Sequence, residues 1–233
     1  MVRLLVSVRD VHEAVAAAAA GADFIDCKEP ADGALGALAP DRIAQVVAVL
    51  RERHPGLRIS ATIGDVTAGA EVLQRVRAVA ACGVDYVKVG IWPASGAAML
   101  EALAGCGAVI VPVLVADDGI ATDLVEEALA LQAFPALMVD TARKGEGSLL
   151  QRRPASELAG FIAAVQSCGV MAGLAGSLRM MDVPMLRALA PDFAGFRGAV
   201  TSGERTALLD ARKVRELRRG LAAGARAPLP AAA

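Results

Sequence analysis

Lysine is the scarce charged residue of this chain: Lys28, Lys88, Lys144 and Lys213 stand against twenty arginines in 233 residues. A sequence that solvates its surface with arginine places lysine for another reason. Unlike a guanidinium, a lysine amine can shed its proton when desolvated or set beside a second cation, and can then attack a carbonyl or remove a proton from carbon. Lys28 ends the run Gly21-Ala22-Asp23-Phe24-Ile25-Asp26-Cys27-Lys28, and Lys88 lies in its echo Gly83-Val84-Asp85-Tyr86-Val87-Lys88-Val89-Gly90. Each run opens on a helix-closing glycine and continues through strand-forming residues, where lysine fills poorly and is costly to bury. Lys213 reads as surface.

Aligning the two runs on their glycines puts Asp26 level with Lys88, and Lys28 two residues further along. Side chains alternate on a strand, so Asp26, Lys28 and Lys88 share one face, with Lys88 one layer below Lys28. Cys27 has the opposite parity and is expected to face outward and do no chemistry. Asp65 and Asp140 also fall at strand ends, where they could orient the amines or shuttle protons. The blander reading makes the lysines partners in buried ion pairs and the aspartates loop caps, and for Asp65 both readings stand. A second candidate feature is Gly176-Ser177 and Arg197-Gly198-Ala199, where glycine-rich loops would let backbone N–H groups approach a phosphate and Arg197 would add a fork of donors.

These residues need elements to position them. Strands are expected over 3–8, 22–28, 57–65, 85–90, 108–116, 136–141, 170–177 and 193–199. Between them lie helices over 10–20, 41–53, 69–82, 95–106, 121–133, 155–168 and 182–190, with a last one over 210–219. Two connections, 29–40 and 143–153, are long polar loops, and extra loop after a strand points to a lid or binding role. Regular alternation forces parallel strands with right-handed crossovers, and eight units close a single-domain α/β fold, a TIM (β/α)8 barrel over 1–220. An open doubly wound sheet would need a phosphate-binding glycine fingerprint after the first strand, and Ser7-Val8-Arg9-Asp10 has no glycine. Three of the four lysines then sit at the C-terminal ends of strands two, four and six, where barrel active sites assemble. The Ala/Pro-rich tail 221–233 is expected to be mobile.

With 55% hydrophobic but only 3% aromatic residues, the core is aliphatic. A net charge of −1 without a basic run argues against nucleic acid, and no stretch approaches the roughly 20 apolar residues of a membrane span. A cytoplasmic protein is expected. Cys27, Cys82, Cys106 and Cys168 show neither metal-ligand nor disulfide spacing. His12 and His54 fall on the wrong side of the barrel for its site, and Trp92 reads as packing.

At Asp26-Cys27-Lys28-Glu29-Pro30 and Gly33-Ala34-Leu35-Gly36-Ala37 the sequence resembles the (5-formylfuran-3-yl)methyl phosphate synthase family. The likeness continues through Ser60-Ala61-Thr62-Ile63-Gly64-Asp65, Tyr86-Val87-Lys88-Val89-Gly90, Asp140-Thr141-Ala142, Lys144, Ala175-Gly176-Ser177 and Arg197-Gly198-Ala199. The resemblance implies methanofuran biosynthesis, with two molecules of glyceraldehyde 3-phosphate condensed to a furan aldehyde phosphate. Lys28 would form the Schiff base and Lys88 would accept the proton, with Asp26, Asp140, Lys144 and Asp65 around them. No cofactor or metal is implied, since the iminium is the electron sink. The expected partners are a small phosphorylated aldehyde and further copies of the chain. Another lysine Schiff-base aldolase, or a catalytically silent phosphometabolite-binding barrel, stands as the alternative.

Overall fold

A computed structural model describes residues 1–143 and 145–223. Eight parallel strands close in sequence order into a barrel. They are β1 (Arg3–Val8), β2 (Phe24–Cys27), β3 (Arg58–Thr62), β4 (Tyr86–Ile91), β5 (Ile110–Val115), β6 (Ala136–Asp140), β7 (Met171–Leu174) and β8 (Phe193–Phe196). The helices are α1 (Val11–Ala19), α2 (Pro40–Arg53), α3 (Gly69–Ala80), α4 (Gly96–Ala104), α5 (Thr122–Ala130), α6 (Leu149–Arg152), α7 (Ala155–Ser167), α8 (Val183–Leu189) and α9 (Ala211–Ala222). Four expectations are adjusted. The second, third, fifth, seventh and eighth strands are shorter than their apolar runs, because the chain turns into the loops at the C-terminal ends of the strands before those runs end. The loop 143–153 contains the single-turn α6, and the chain 198–200 makes a 3-10 turn instead of extending β8. The last helix runs to Ala222, two residues into the expected tail, whose remainder from residue 224 lies outside the described residues.

Local chemistry explains the boundaries. Asp10 caps α1 by accepting from Glu13 N–H at 2.9 Å, and Pro40 opens α2 where its missing N–H costs nothing. The strands are buried on both faces, as parallel strands wrapped by helices must be. Leu4, Val6, Ile25 and Cys27 pack outward into the strand–helix layer, while Leu5, Phe24, Val111, Met138 and Phe193 fill the barrel interior. Cys27 therefore faces away from the mouth. Burial, reinforced by the Asp26 charge, pushes its thiol far above the usual value, so it is a poor nucleophile.

The echoed runs share more than their lysines. Asp23 accepts Leu4 N–H at 2.7 Å, Asp85 accepts Ile59 N–H at 2.7 Å, and Asp192 accepts Ala172 N–H at 2.9 Å. Each aspartate stitches the start of its strand to the preceding one, at the end of the barrel remote from the mouth. Burial works to raise the Asp85 carboxyl, but hydrogen bonds from Arg51, Ile59 N–H and Arg58 outweigh it and hold the carboxyl below its ordinary value. A depressed carboxylate adds stability above its unfolded pKa of about 3.9 and loses it as pH falls through the folded value. Asp85→Ala is therefore expected to destabilise the fold by about 1–3 kcal/mol at pH 7, with a smaller difference from wild type at pH 3. Urea unfolding at the two pH values checks this, and an equal difference at both would remove Asp85 from the acid response.

No helix among the described residues is long and apolar enough to cross a membrane.

Candidate active site

The strand ends on the mouth side carry two amine–carboxylate pairs. Lys88 on β4 reaches across the interior to Asp26 on β2, Nζ to Oδ2 3.0 Å, with both residues buried. Asp26 Oδ1 also accepts the Ser60 hydroxyl at 2.6 Å, and Oδ2 the Ser7 hydroxyl at 3.1 Å. Backbone pairing sets Ser7, Asp26 and Ser60 in one row, and Thr62 beside Lys88. The tilt of barrel strands brings Lys88 level with Asp26, as the echo implied. A fully buried carboxylate needs such company, because an unpaired charge in this interior would cost several kcal/mol.

Lys28 lies two residues beyond Asp26 and nearer the opening. Its Nζ stands 3.6 Å from Asp140 Oδ2 at the end of β6, a charge pair outside hydrogen-bond range for that contact. Asp140 Oδ1 accepts Thr141 N–H at 2.7 Å. Lys28 and Asp140 are only 7% and 4% exposed, although they sit at the barrel mouth. Both pairs border one cavity of about 450 Å3, large enough for small phosphorylated metabolites. Two amines and two carboxylates on alternate strands of a dry wall can exchange protons over short distances and attack a carbonyl held between them.

The remaining wall comes from the loops after β7 and β8, with Gly176, Ser177, Gly198 and Ala199 all lining the cavity. Gly176 has φ +108°, and a side chain there would press on Thr141 Oγ1 at 2.9 Å, so only glycine lets the loop turn over the mouth. The 28–39 connection closes the opposite side. A side chain at Gly36 would collide with the carbonyls of Glu29 and Asp32, and Leu35 is buried with the interior residues.

Asp65 takes the loop-capping one of its two readings, and Arg197 changes role. Asp65 accepts Ala34 N–H at 2.7 Å and Leu35 N–H at 3.0 Å and is not among the residues lining the cavity; it holds the 28–39 loop. Arg197 does not offer a fork to a ligand. Its five N–H donors go to Glu13 Oε2 at 2.6 Å, Glu13 Oε1 at 3.1 Å and the carbonyls of Ser7, Ala207 and Arg205 at 3.1, 2.8 and 2.7 Å. Glu13, 1% exposed on α1, also pairs with Arg9 at 3.3 Å. Arg197 is thus a buried clamp between β1, α1 and the last loop. Lys144 lies outside the described residues.

Several functional neighbours escape a reading by strand ends. Ser7 and Ser60 are short polar residues in apolar runs, and their inward parity is the one signal that could have marked them. Asp117, after β5, accepts Ala142 N–H at 2.6 Å, Arg143 N–H at 2.9 Å and Arg152 Nη1 at 2.8 Å. Burial works to raise its carboxyl, but these bonds win and hold it below the ordinary value. It anchors the start of the loop that leads to Lys144.

Comparison with known proteins places the chain among relatives of similar sequence and fold. A protein of Methylorubrum extorquens that carries the provisional name (5-formylfuran-3-yl)methyl phosphate synthase is 41% identical over 226 residues, 97% of this chain and 94% of its own length. The (5-formylfuran-3-yl)methyl phosphate synthase of Methanocaldococcus jannaschii is 33% identical over 236 residues, covering 92% and 97%. Among solved structures, phosphoribosyl anthranilate isomerase from Thermus thermophilus superposes with a TM-score of 0.69 at 18% identity, over 94% of this chain and 98% of that one. That likeness establishes the barrel fold alone. The sequence profile described as 4-HFC-P synthase matches residues 4–218, which takes in all eight strands but for the first residue of β1 and includes both lysine–carboxylate pairs, and the chain belongs to that family.

Proposed function

We propose that this chain is an enzyme of methanofuran biosynthesis that joins two molecules of glyceraldehyde 3-phosphate into (5-formylfuran-3-yl)methyl phosphate, releasing one phosphate and two waters. The observation that carries the reading is the pair of buried lysines, each facing a carboxylate, on one cavity. The names of the relatives support the product.

Lys28 Nζ attacks the aldehyde carbon of the first substrate, and Asp140 at 3.6 Å relays the proton needed to expel water and leave an iminium. The positive iminium repels a second ammonium in the same cavity, so the proton on Lys88 passes to Asp26 at 3.0 Å. The freed amine removes a proton from the carbon beside the iminium, giving an enamine. The enamine expels phosphate from the adjoining carbon, and the terminal carbon of the resulting unsaturated iminium bonds to C2 of the second substrate as that carbon gives up its proton. Closure of the first substrate's C2 hydroxyl onto the second aldehyde and loss of two waters complete the furan, and water releases the formyl group from Lys28.

Incubation with glyceraldehyde 3-phosphate, with products read by mass, tests the proposal. The furan aldehyde phosphate is expected together with one equivalent of inorganic phosphate. A borohydride-trapped adduct without furan would make the protein an aldolase instead, and no adduct would leave a silent binder.

A further inference from the structure

Arg197 lines the cavity but spends its donors on the protein frame, and of the other two arginines there Arg179 pairs with Asp182 at 3.5 Å, while Arg205, in the same loop as Arg197, is the candidate for an anion. Arg205 lines the cavity. The one hydrogen bond of its side chain among the described residues runs from Nη2 to the Gly33 carbonyl at 3.2 Å, which leaves four of the five N–H donors of the guanidinium uncommitted there. The contrast with Arg197, eight residues earlier and fully engaged, is chemical: one arginine holds the loop and the other is available.

Burial pulls the Arg205 guanidinium below the usual arginine value, while Asp140, Asp65 and Glu29 counter it and Arg197 adds to it. An arginine so placed stays charged and gains from an anion that completes its donor set. Gly176, Ser177, Gly198 and Ala199 line the same cavity and allow the close backbone approach that phosphate oxygens need. The Gly33 carbonyl belongs to the 28–39 loop that Asp65 pins through the adjacent Ala34 N–H. Arg205 thus ties the loop after β8 to the loop that begins at Lys28.

We propose that Arg205 binds the phosphate of the substrate, presenting its free donors to the phosphate oxygens while its Nη2 contact to Gly33 holds the Lys28 loop over the mouth. The assignment rests on the reading of the cavity as a phosphorylated-aldehyde site, but it can be tested without that chemistry. Glycerol 3-phosphate has the phosphate and no carbonyl, so it cannot form an iminium.

Calorimetric titration of the full chain with glycerol 3-phosphate is expected to show saturable binding that Arg205→Gln weakens by about 10- to 100-fold, the size of lost hydrogen bonds to a charged group. Arg205→Lys should recover part of the loss, because it keeps the charge but not the fork. Borohydride trapping of unphosphorylated glyceraldehyde on Lys28 should fall by much less than the glycerol 3-phosphate affinity in both variants, since that ligand has no phosphate to lose and feels only the loosened loop. Unchanged glycerol 3-phosphate affinity in Arg205→Gln, or no binding by the wild type, overturns the proposal. So does a parallel loss of glyceraldehyde trapping, which would make Arg205 a loop support only. Failure of the wild type to form furan would sink the proposed reaction yet leave the glycerol 3-phosphate result to decide on Arg205.

Discussion

Lys28→Ala is expected to lose borohydride trapping by glyceraldehyde 3-phosphate and to lower furan formation by at least about 10^4-fold, the scale seen when a covalent nucleophile is removed. The size follows from what the amine supplies. Without an iminium the carbon beside the aldehyde is a weak acid, and neither Lys88 nor Asp26 can remove its proton at a useful rate. Lys28→Arg should fail equally, because a guanidinium remains protonated and cannot attack. Lys88→Ala separates the two roles: it should still be trapped, since Lys28 and Asp140 remain, but should turn over slowly because the base is gone. Trapping that persists in Lys28→Ala, located by peptide mass on Lys88, would reverse the two assignments.

The second large effect concerns stability. Asp26 is 0% exposed and accepts from Lys88, Ser60 and Ser7. Asp26→Leu would strand an ammonium in the barrel interior and leave two hydroxyls without their acceptor. Breaking one partner of a buried pair costs about 3–5 kcal/mol, which for a chain of this length lowers Tm by about 6–20 °C. The double variant Asp26→Leu, Lys88→Met should regain much of that loss, since replacing a buried pair by apolar side chains of similar volume is often neutral. It should make no furan. Thermal unfolding of wild type, both single variants and the double variant measures the coupling. Additive losses would show that the pair is not a unit, whereas recovery of stability without activity would show that the interior charges serve chemistry at the expense of the fold.

The site places its least stable chemistry on its most rigid elements. The lysines rise from strands or strand ends, where neighbouring backbone bonds restrict them, and the loops after β7 and β8 contribute the glycines and Arg205 that line the cavity. Arg197 belongs to this rigid frame. Through Glu13 it joins α1 to the last loop, and its Nε holds the Arg205 carbonyl.

Much of this was determined by the order of residues alone. Apolar runs alternating with helical spacing require a barrel, since each buried strand can return to the sheet only through a crossover. Period two along β2 sends Asp26 and Lys28 inward and Cys27 outward, whatever else the chain does. The sparing use of lysine marks the amines because no other cation could do their work. Donor–acceptor partnership is another matter, and only the closed barrel decided it. Arg197 and Glu13 are 184 residues apart, Arg205 and Gly33 172, and Asp65 and Ala34 31. Nothing in the local pattern around Arg197 and Arg205 says which of them keeps free donors. That depends on which loop each guanidinium meets once β8 has paired with β1, and the same closure turned Asp65 toward the Lys28 loop and set Ser7 and Ser60 on either side of Asp26.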